Sequence, residues 1–312
     1  MILWIGFIVL ILLLLALDLG VLNKDHKTIT AKQALGWTAL WVSLAGLFSL
    51  VVYFGYMHNW AGINHAGISA TDATVEYITG YLVEESLSMD NLFVISFLFR
   101  YFKVPVIHRH RVLFWGILGA LIFRGLMIFA GAELVARFSW INYVFGGFLL
   151  YAGIKMVLPE KHDADPNKSF LVKMIRRVVT VDSDVESGKF FKKVNGRTVI
   201  TSLFMVLIIV EFTDLMFAVD SIPAIFGITT DPFIVFTSNV FAILGLRSLF
   251  FAIESVIHRF SYLKYSLAII LVFVGVKLGI ATWVHMSPLI SLAVIVGLMG
   301  TGIAYSLYRN KN

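Results

Sequence analysis

Along this chain, apolar runs alternate with short polar stretches to give nine candidate spans: roughly 1–22, 36–57, 77–99, 112–131, 140–157, 199–219, 233–251, 264–281 and 287–307. The hydrocarbon core of a bilayer takes about 20 residues of helix to cross, and a helix satisfies its own backbone donors and acceptors, as lipid demands. The pattern therefore predicts an all-α fold, a polytopic transmembrane bundle of about nine spans. The first run has neither the basic leader nor the small-residue cleavage site of a secretory signal, and is expected to persist as a helix. One sizeable polar segment, 158–198, interrupts the series. It holds nine basic residues, the acidic patch DSDVES (182–187), which lacks the spacing of an EF-hand, and an Asn-Gly step at 195–196 that signals a hairpin.

Composition and charge then exclude whole classes of function. Of the 312 residues, 59% are hydrophobic and 14% charged, where a soluble domain is nearer a quarter charged. Cysteine is absent, which removes thiol redox chemistry, disulfides and thiolate metal sites. The formal net charge of +6 invites a nucleic-acid reading, but the basic residues are placed as topology signals. Alternate loops hold three (23–35), four (100–111), nine (158–198), two (252–264) and two (308–312), against Arg137 alone on the other side. Basic loops stay cytoplasmic. The N-terminus is therefore expected outside and the C-terminus inside a cytoplasmic (inner) membrane, with lipid as a partner and nucleic acid as none.

The chain also repeats itself. FSWINYVFGGFLLYAGIKM (138–156) returns as FSYLKYSLAIILVFVGVKL (260–278) at an offset of 122, Arg124 matches Arg247 at 123, and Asp90 matches Asp220 at 130. Each copy holds three spans, an odd number, so the second would enter the membrane from the opposite side. That is the inverted-topology construction of many secondary transporters, whose ion sites lie between the halves. The expected divisions are a helical pair (1–76), repeat 1 (77–157, spans 3–5), the basic loop (158–198), repeat 2 (199–281, spans 6–8), and a last span with a short tail (282–312).

Chemistry is expected where charge lies inside the membrane, because each acid costs about 2.5–3.5 kcal/mol at a span centre. YLVEESLSMDNLFVIS (81–96) carries Glu84, Glu85 and Asp90; IVEFTDLMFAVDSIPA (209–224) carries Glu211, Asp214 and Asp220. On a helix Glu84, Ser88 and Asn91 share one face, as do Asp214 and Ser221, and the 130-residue offset lays one stripe on the other. Asp90 and Asp220 lie about 120° away and would join only if a helix loosened, which Pro223 favours in the second copy. Clustered carboxylates in low dielectric need a cation or protons. Three readings follow: a divalent metal site, a proton relay, or ion pairs with Arg124 and Arg247 as charge-balancing groups that lock the bundle. All eight histidines fall in loops or at span ends, so an oxygen ligand set suits Mg²⁺, Ca²⁺ or Mn²⁺ best. A thioether from Met89 or Met216 would tilt that choice toward Mn²⁺. Asp18, at the end of the first span, and Asn239, beside Thr237 and Ser238, are additional candidates.

These motifs resemble the TerC family of integral membrane proteins, in its Alx-like branch. VEESLSMDN (83–91), EFTDLMFAVDSIPA (211–224), TTDPFIVFTSNVFAILGLRSLFF (229–251) and HRFSYLKY (258–265) carry the likeness, which covers nearly the whole chain. The family is associated with manganese homeostasis, chiefly Mn(II) efflux, and by name with tellurite resistance. Position by position, the resemblance implies a metal set of Glu84, Asp90, Asn91, Glu211, Asp214, Asp220 and Ser221. Glu85 departs from relatives with a non-acidic residue there. The expectation is a secondary transporter with Mn(II) as transported substrate and no organic cofactor, in which protons competing for the carboxylates could provide coupling. No GxxxxGK[ST] motif is present to drive it with ATP, and no enzymatic activity is expected. The alternative is a non-transporting scaffold or accessory protein in metal or tellurite stress, its acids held in static ion pairs. Copies of itself or other membrane proteins remain open as partners.

Overall fold

Among the described residues, nine long helices follow one another: α1 (Ile2–Leu22), α2 (Ala31–Met57), α3 (Ala70–Tyr101), α4 (Val106–Arg137), α5 (Ile141–Val157), α6 (Ser202–Phe226), α7 (Pro232–Ile253), α8 (Leu263–Ile280) and α9 (Pro288–Arg309). The computed structural model describes residues 2–22, 31–64, 67–138, 140–157, 181–182, 188–194, 197–253, 263–280, 283–284 and 286–309, with positions 172, 174 and 177. Several helices start where the sequence supplies an oxygen for their unpaired first amides. Ser69 Oγ accepts from the Asp72 amide at 3.0 Å ahead of α3, and Thr201 Oγ1 from Phe204 at 3.3 Å ahead of α6. Asp231 Oδ1 accepts from Phe233 at 2.9 Å, with Pro232 at the first helical position, where no donor is needed.

The strands on either side of the Asn-Gly step, which itself lies outside the described residues, do pair. β2 (Phe191–Val194) pairs antiparallel with β3 (Arg197–Thr201), Val194 opposite Arg197, and β1 (Val181–Asp182) lies parallel on the other side of β3. This small sheet departs from the purely helical expectation. Its last strand leads straight into α6, and Asp182 is tied there by Ser202 Oγ, which donates to its carbonyl at 3.0 Å.

Burial is graded from α1 inward. Trp4 and Phe7 of α1 pack on Phe233 and Phe236 of α7, while Ile5, Ile8, Leu12 and Leu13 face outward. Large apolar side chains are exposed on several other helices too, among them Leu47, Leu126, Tyr151, Met216 and Leu289, as a lipid-facing surface requires. The opposite extreme is α7, whose most apolar stretch is 89% buried. Among the described residues, five helices are long and apolar enough to cross a membrane: α2, α4, α6, α7 and α9. The acids of α3 interrupt its apolar run, and it packs instead against α2, α6, α7 and α9.

Two packing relations position the site. α3 lies along α7 as α4 lies along α6. α5 crosses α8 so closely that a Cβ on Gly153 would sit 2.8 Å from the Ala268 carbonyl oxygen, and one on Gly275 would sit 2.9 Å from that of Gly146. Side chains at either position would hold the two backbones apart.

Candidate functional site

The two acid-bearing helices, α3 and α6, run antiparallel and meet at their polar stripes. Asn91 Nδ2 donates to Asp214 Oδ1 at 3.4 Å. Two turns further along each helix, Glu84 and Ser221 are bridged by a single nitrogen, Arg124 Nη1. From Asn91 to Glu84 the numbering falls along α3 while from Asp214 to Ser221 it rises along α6, so the stripes lie against each other in opposite directions. Glu84, Asn91, Ser221 and Arg124 are each at most 3% exposed.

Arg124, from α4, stands at the centre of this arrangement. Its Nε and Nη2 form a fork on Asp214, at 3.2 Å to Oδ2 and 3.0 Å to Oδ1. Nη1 is ion-paired with Glu84 Oε1 and lies 3.5 Å from Ser221 Oγ and 3.4 Å from Asn239 Oδ1. Planar forks of this kind are the strong form of an arginine–carboxylate pair. Two carboxylates and one guanidinium leave a formal charge of −1 in a poorly hydrated interior. Glu84 Oε2 and Asn91 Oδ1 are buried with no hydrogen-bond partner among the described residues.

A cavity of about 50 Å³ opens beside these groups, lined by Glu84, Asn91, Arg124 and Ser221 and walled by Leu87, Met156, Phe217 and Leu271. One water needs about 10–15 Å³ by the same measure, so the space suits a small cation with part of its hydration. Its donors are hard oxygens, and Met156 adds a thioether in the wall. Among the described residues no three His, Asp or Glu side chains converge as a ready metal cage; Glu84 and Asp214 converge on Arg124.

Other expected residues fall elsewhere. Glu211 does not line the cavity; its carboxylate fills the space over Gly119 of α4, where a Cβ would overlap it. Its Oε2 is buried and without a partner among the described residues. Glu85, next to Glu84 but about 100° round the helix, also lies outside the cavity lining. The side chains of Asp18, Asp90 and Asp220 lie outside the described residues. α6 stays helical through Pro223 to Phe226, so the loosening expected there is absent. Pro223 removes the one amide that would pair with the Val219 carbonyl, and the helix carries on past it to Phe226. Thr237, Ser238 and Asn239 bond mainly back to their own helix, at 2.7, 2.8 and 2.9 Å, and only Asn239 also reaches the site. Arg247 is buried in α7. Met216 is 60% exposed, so the thioether at the cavity is Met156, which no local pattern in an otherwise apolar helix had marked.

Residues 69–312 match the Integral membrane protein TerC family. The chain is 46% identical over 310 residues to "Uncharacterized membrane protein STKORF319" of Myxococcus xanthus, covering 99% of this chain and 93% of that one. It is 43% identical over 309 residues to "Putative membrane-bound redox modulator Alx" of Salmonella typhi, covering 99% and 94%. The protein of that name from Escherichia coli K12 is 43% identical over 299 residues, covering 95% and 91%. No solved structure matches. With most of its length matched by the family and near-complete coverage of these relatives, the chain belongs to the TerC family of integral membrane proteins.

Proposed function

We propose that this protein is a secondary carrier of a divalent metal cation, Mn(II), exported across the cytoplasmic membrane. The observation that carries the reading is the pair of buried, unpartnered oxygens, Glu84 Oε2 and Asn91 Oδ1, beside a cavity between the two acid-bearing helices. Buried polar atoms without partners are rare and ask for an occupant. Glu84, Asn91, Asp214 and Ser221 would bind the ion, with Asp90 and Asp220 as further acids on the same helices. The choice of Mn(II), and of efflux, rests on the resemblance to the family; hard oxygens beside one thioether are compatible with it.

In this reading the helices form nine spans, N-terminus outside and C-terminus inside, containing two inverted repeats, α3–α5 and α6–α8. Equivalent contacts support the repeat. At the 122-residue offset, the Gly153–Ala268 and Gly275–Gly146 approaches exchange with each other, as do the α3–α7 and α4–α6 packings. Rocking one repeat against the other would alternate access to a site on the pseudo-two-fold axis.

The buried ion pairs of Arg124 favour a second reading, a non-transporting scaffold. The relatives' name speaks of redox modulation; with no cysteine here, such a role would need chemistry other than its own thiols. Mn²⁺ flux into proteoliposomes decides between the first two. Wild type is expected to carry Mn²⁺, and folded Glu84→Gln and Asp214→Asn to fall to the level of empty liposomes. Equal flux in all three would remove the carrier mechanism.

A further inference from the structure

The guanidinium of Arg124 uses the oxygens that a bound cation would need. It takes one oxygen of Glu84 and both of Asp214, and approaches Ser221 and Asn239. A divalent ion at those atoms and a guanidinium on them would be like charges a few ångströms apart in low dielectric, which is strongly unfavourable. One of them has to leave.

The structure also offers the arginine somewhere to go. Glu211 lies on α6 three residues before Asp214, about 4.5 Å of helix rise. Its carboxylate rests over Gly119 of α4, five residues before Arg124 on the same helix, and its Oε2 has no partner among the described residues. α4 and α6 run parallel here, Gly116 and Gly119 against Val210 and Glu211, Arg124 against Asp214. Helical side chains lean toward the N-terminus of their helix, so a swing from Asp214 to Glu211 follows the natural tilt of the arginine.

We infer that Arg124 is a tethered cation: it fills the carboxylate site in the ion-free state and moves to Glu211 when a divalent ion enters. Charge closes in the loaded state. The ion with Glu84 and Asp214 sums to zero, and so does Arg124 with Glu211. In the ion-free state Arg124 cancels one of the two carboxylate charges of Glu84 and Asp214, so it stands in for half of the ion's charge. This inference rests on the cation-carrier reading and assigns Glu211 to the arginine instead of to the ion.

The test is Mn²⁺ binding to the full-length protein in detergent, by equilibrium dialysis. Arg124→Gln is expected to lower the Kd by about tenfold or more, the loss of one competing charged group. Arg124→Lys keeps the buried charge that folding uses but cannot fork across two oxygens, and should lower the Kd several-fold. Glu211→Gln should raise the Kd in the wild-type background and leave it unchanged in Arg124→Gln, a double-mutant cycle with full coupling. Wild-type binding that Arg124→Lys fails to tighten would overturn the exchange alone. A Glu211→Gln effect of equal size in both backgrounds would overturn it too, making Glu211 a direct ligand. Absence of Mn²⁺ binding in every protein would overturn the carrier reading and this inference together.

Discussion

Two of the arginines on helix α4, Arg124 and Arg137, stand thirteen residues and so about 20 Å apart along its axis, and each is paired with a glutamate. Arg137 meets Glu133 one turn back in the same helix, their side chains 70% and 62% exposed. Arg124 meets Glu84 of α3, their side chains 3% and 1% exposed. At the exposed end either ion can be solvated when its partner leaves, and such pairs contribute about 0–1 kcal/mol. In the core a deserted guanidinium has at most a cavity of about 50 Å³ from which to draw water, and breaking a buried pair costs about 3–5 kcal/mol. One residue type on one helix therefore does two different things, and the surroundings decide which.

The largest effect that sharpens this contrast is expected from Glu84→Ala. It should lower the unfolding free energy in detergent by about 3 kcal/mol, the low end for a broken buried pair, because Asp214 still holds part of the guanidinium. Chemical denaturation with a far-ultraviolet circular dichroism readout would measure it. A loss below about 0.5 kcal/mol would place the buried pair in the class of the exposed one and break the comparison.

The buried pair needs its helices held in place, and the α5–α8 crossing does that with no charge at all. Gly153→Ala and Gly275→Ala each set a Cβ against a backbone carbonyl that cannot step aside, and each should cost about 1–3 kcal/mol. Since the two approaches are equivalent at the 122-residue offset, their costs should agree within about 0.5 kcal/mol, treated as independent sites. Gly147, with open space where its Cβ would lie, is the control; Gly147→Ala should be neutral or stabilising by up to about 1 kcal/mol. Unequal costs at Gly153 and Gly275 would count against the inverted repeat.

Much of this was legible in the residues, for physical reasons. The helices were readable because each apolar run is long, and the observed bounds fall within a few residues of the expected ones. The widest misses are at α3, α4 and α6, which extend past the apolar windows 77–99, 112–131 and 199–219 to Ala70–Tyr101, Val106–Arg137 and Ser202–Phe226; α3 and α4 add polar first and last turns, which reach beyond hydrocarbon at no cost, and α6 runs on through Pro223. The meeting of Glu84 and Asn91 with Asp214 and Ser221 was readable because helical period and the 130-residue offset together fix which faces match. Arg124 was marked as charge-balancing, but its place at the centre of both stripes was not, since that depends on how α4 leans across α6. Met156 gave no signal, being one apolar residue among many. Pro223 was given too much weight: it removes one helix hydrogen bond, and α6 runs on past it to Phe226.

The smallest effect closes the contrast at its other end. Glu133→Ala removes the partner of Arg137, yet both side chains are mostly exposed, so the guanidinium exchanges a carboxylate for solvent at almost no loss. The change in unfolding free energy is expected to stay within about 0.5 kcal/mol. Alanine's better helix propensity offsets part of even that. Salt gives the discriminating control, because screening acts on exposed charges and far less on buried ones. Raising ionic strength should erase whatever Glu133→Ala costs while leaving the Glu84→Ala deficit nearly unchanged. If both deficits shrank together, the site around Arg124 would be hydrated, and the low dielectric on which its energetics depend would not exist.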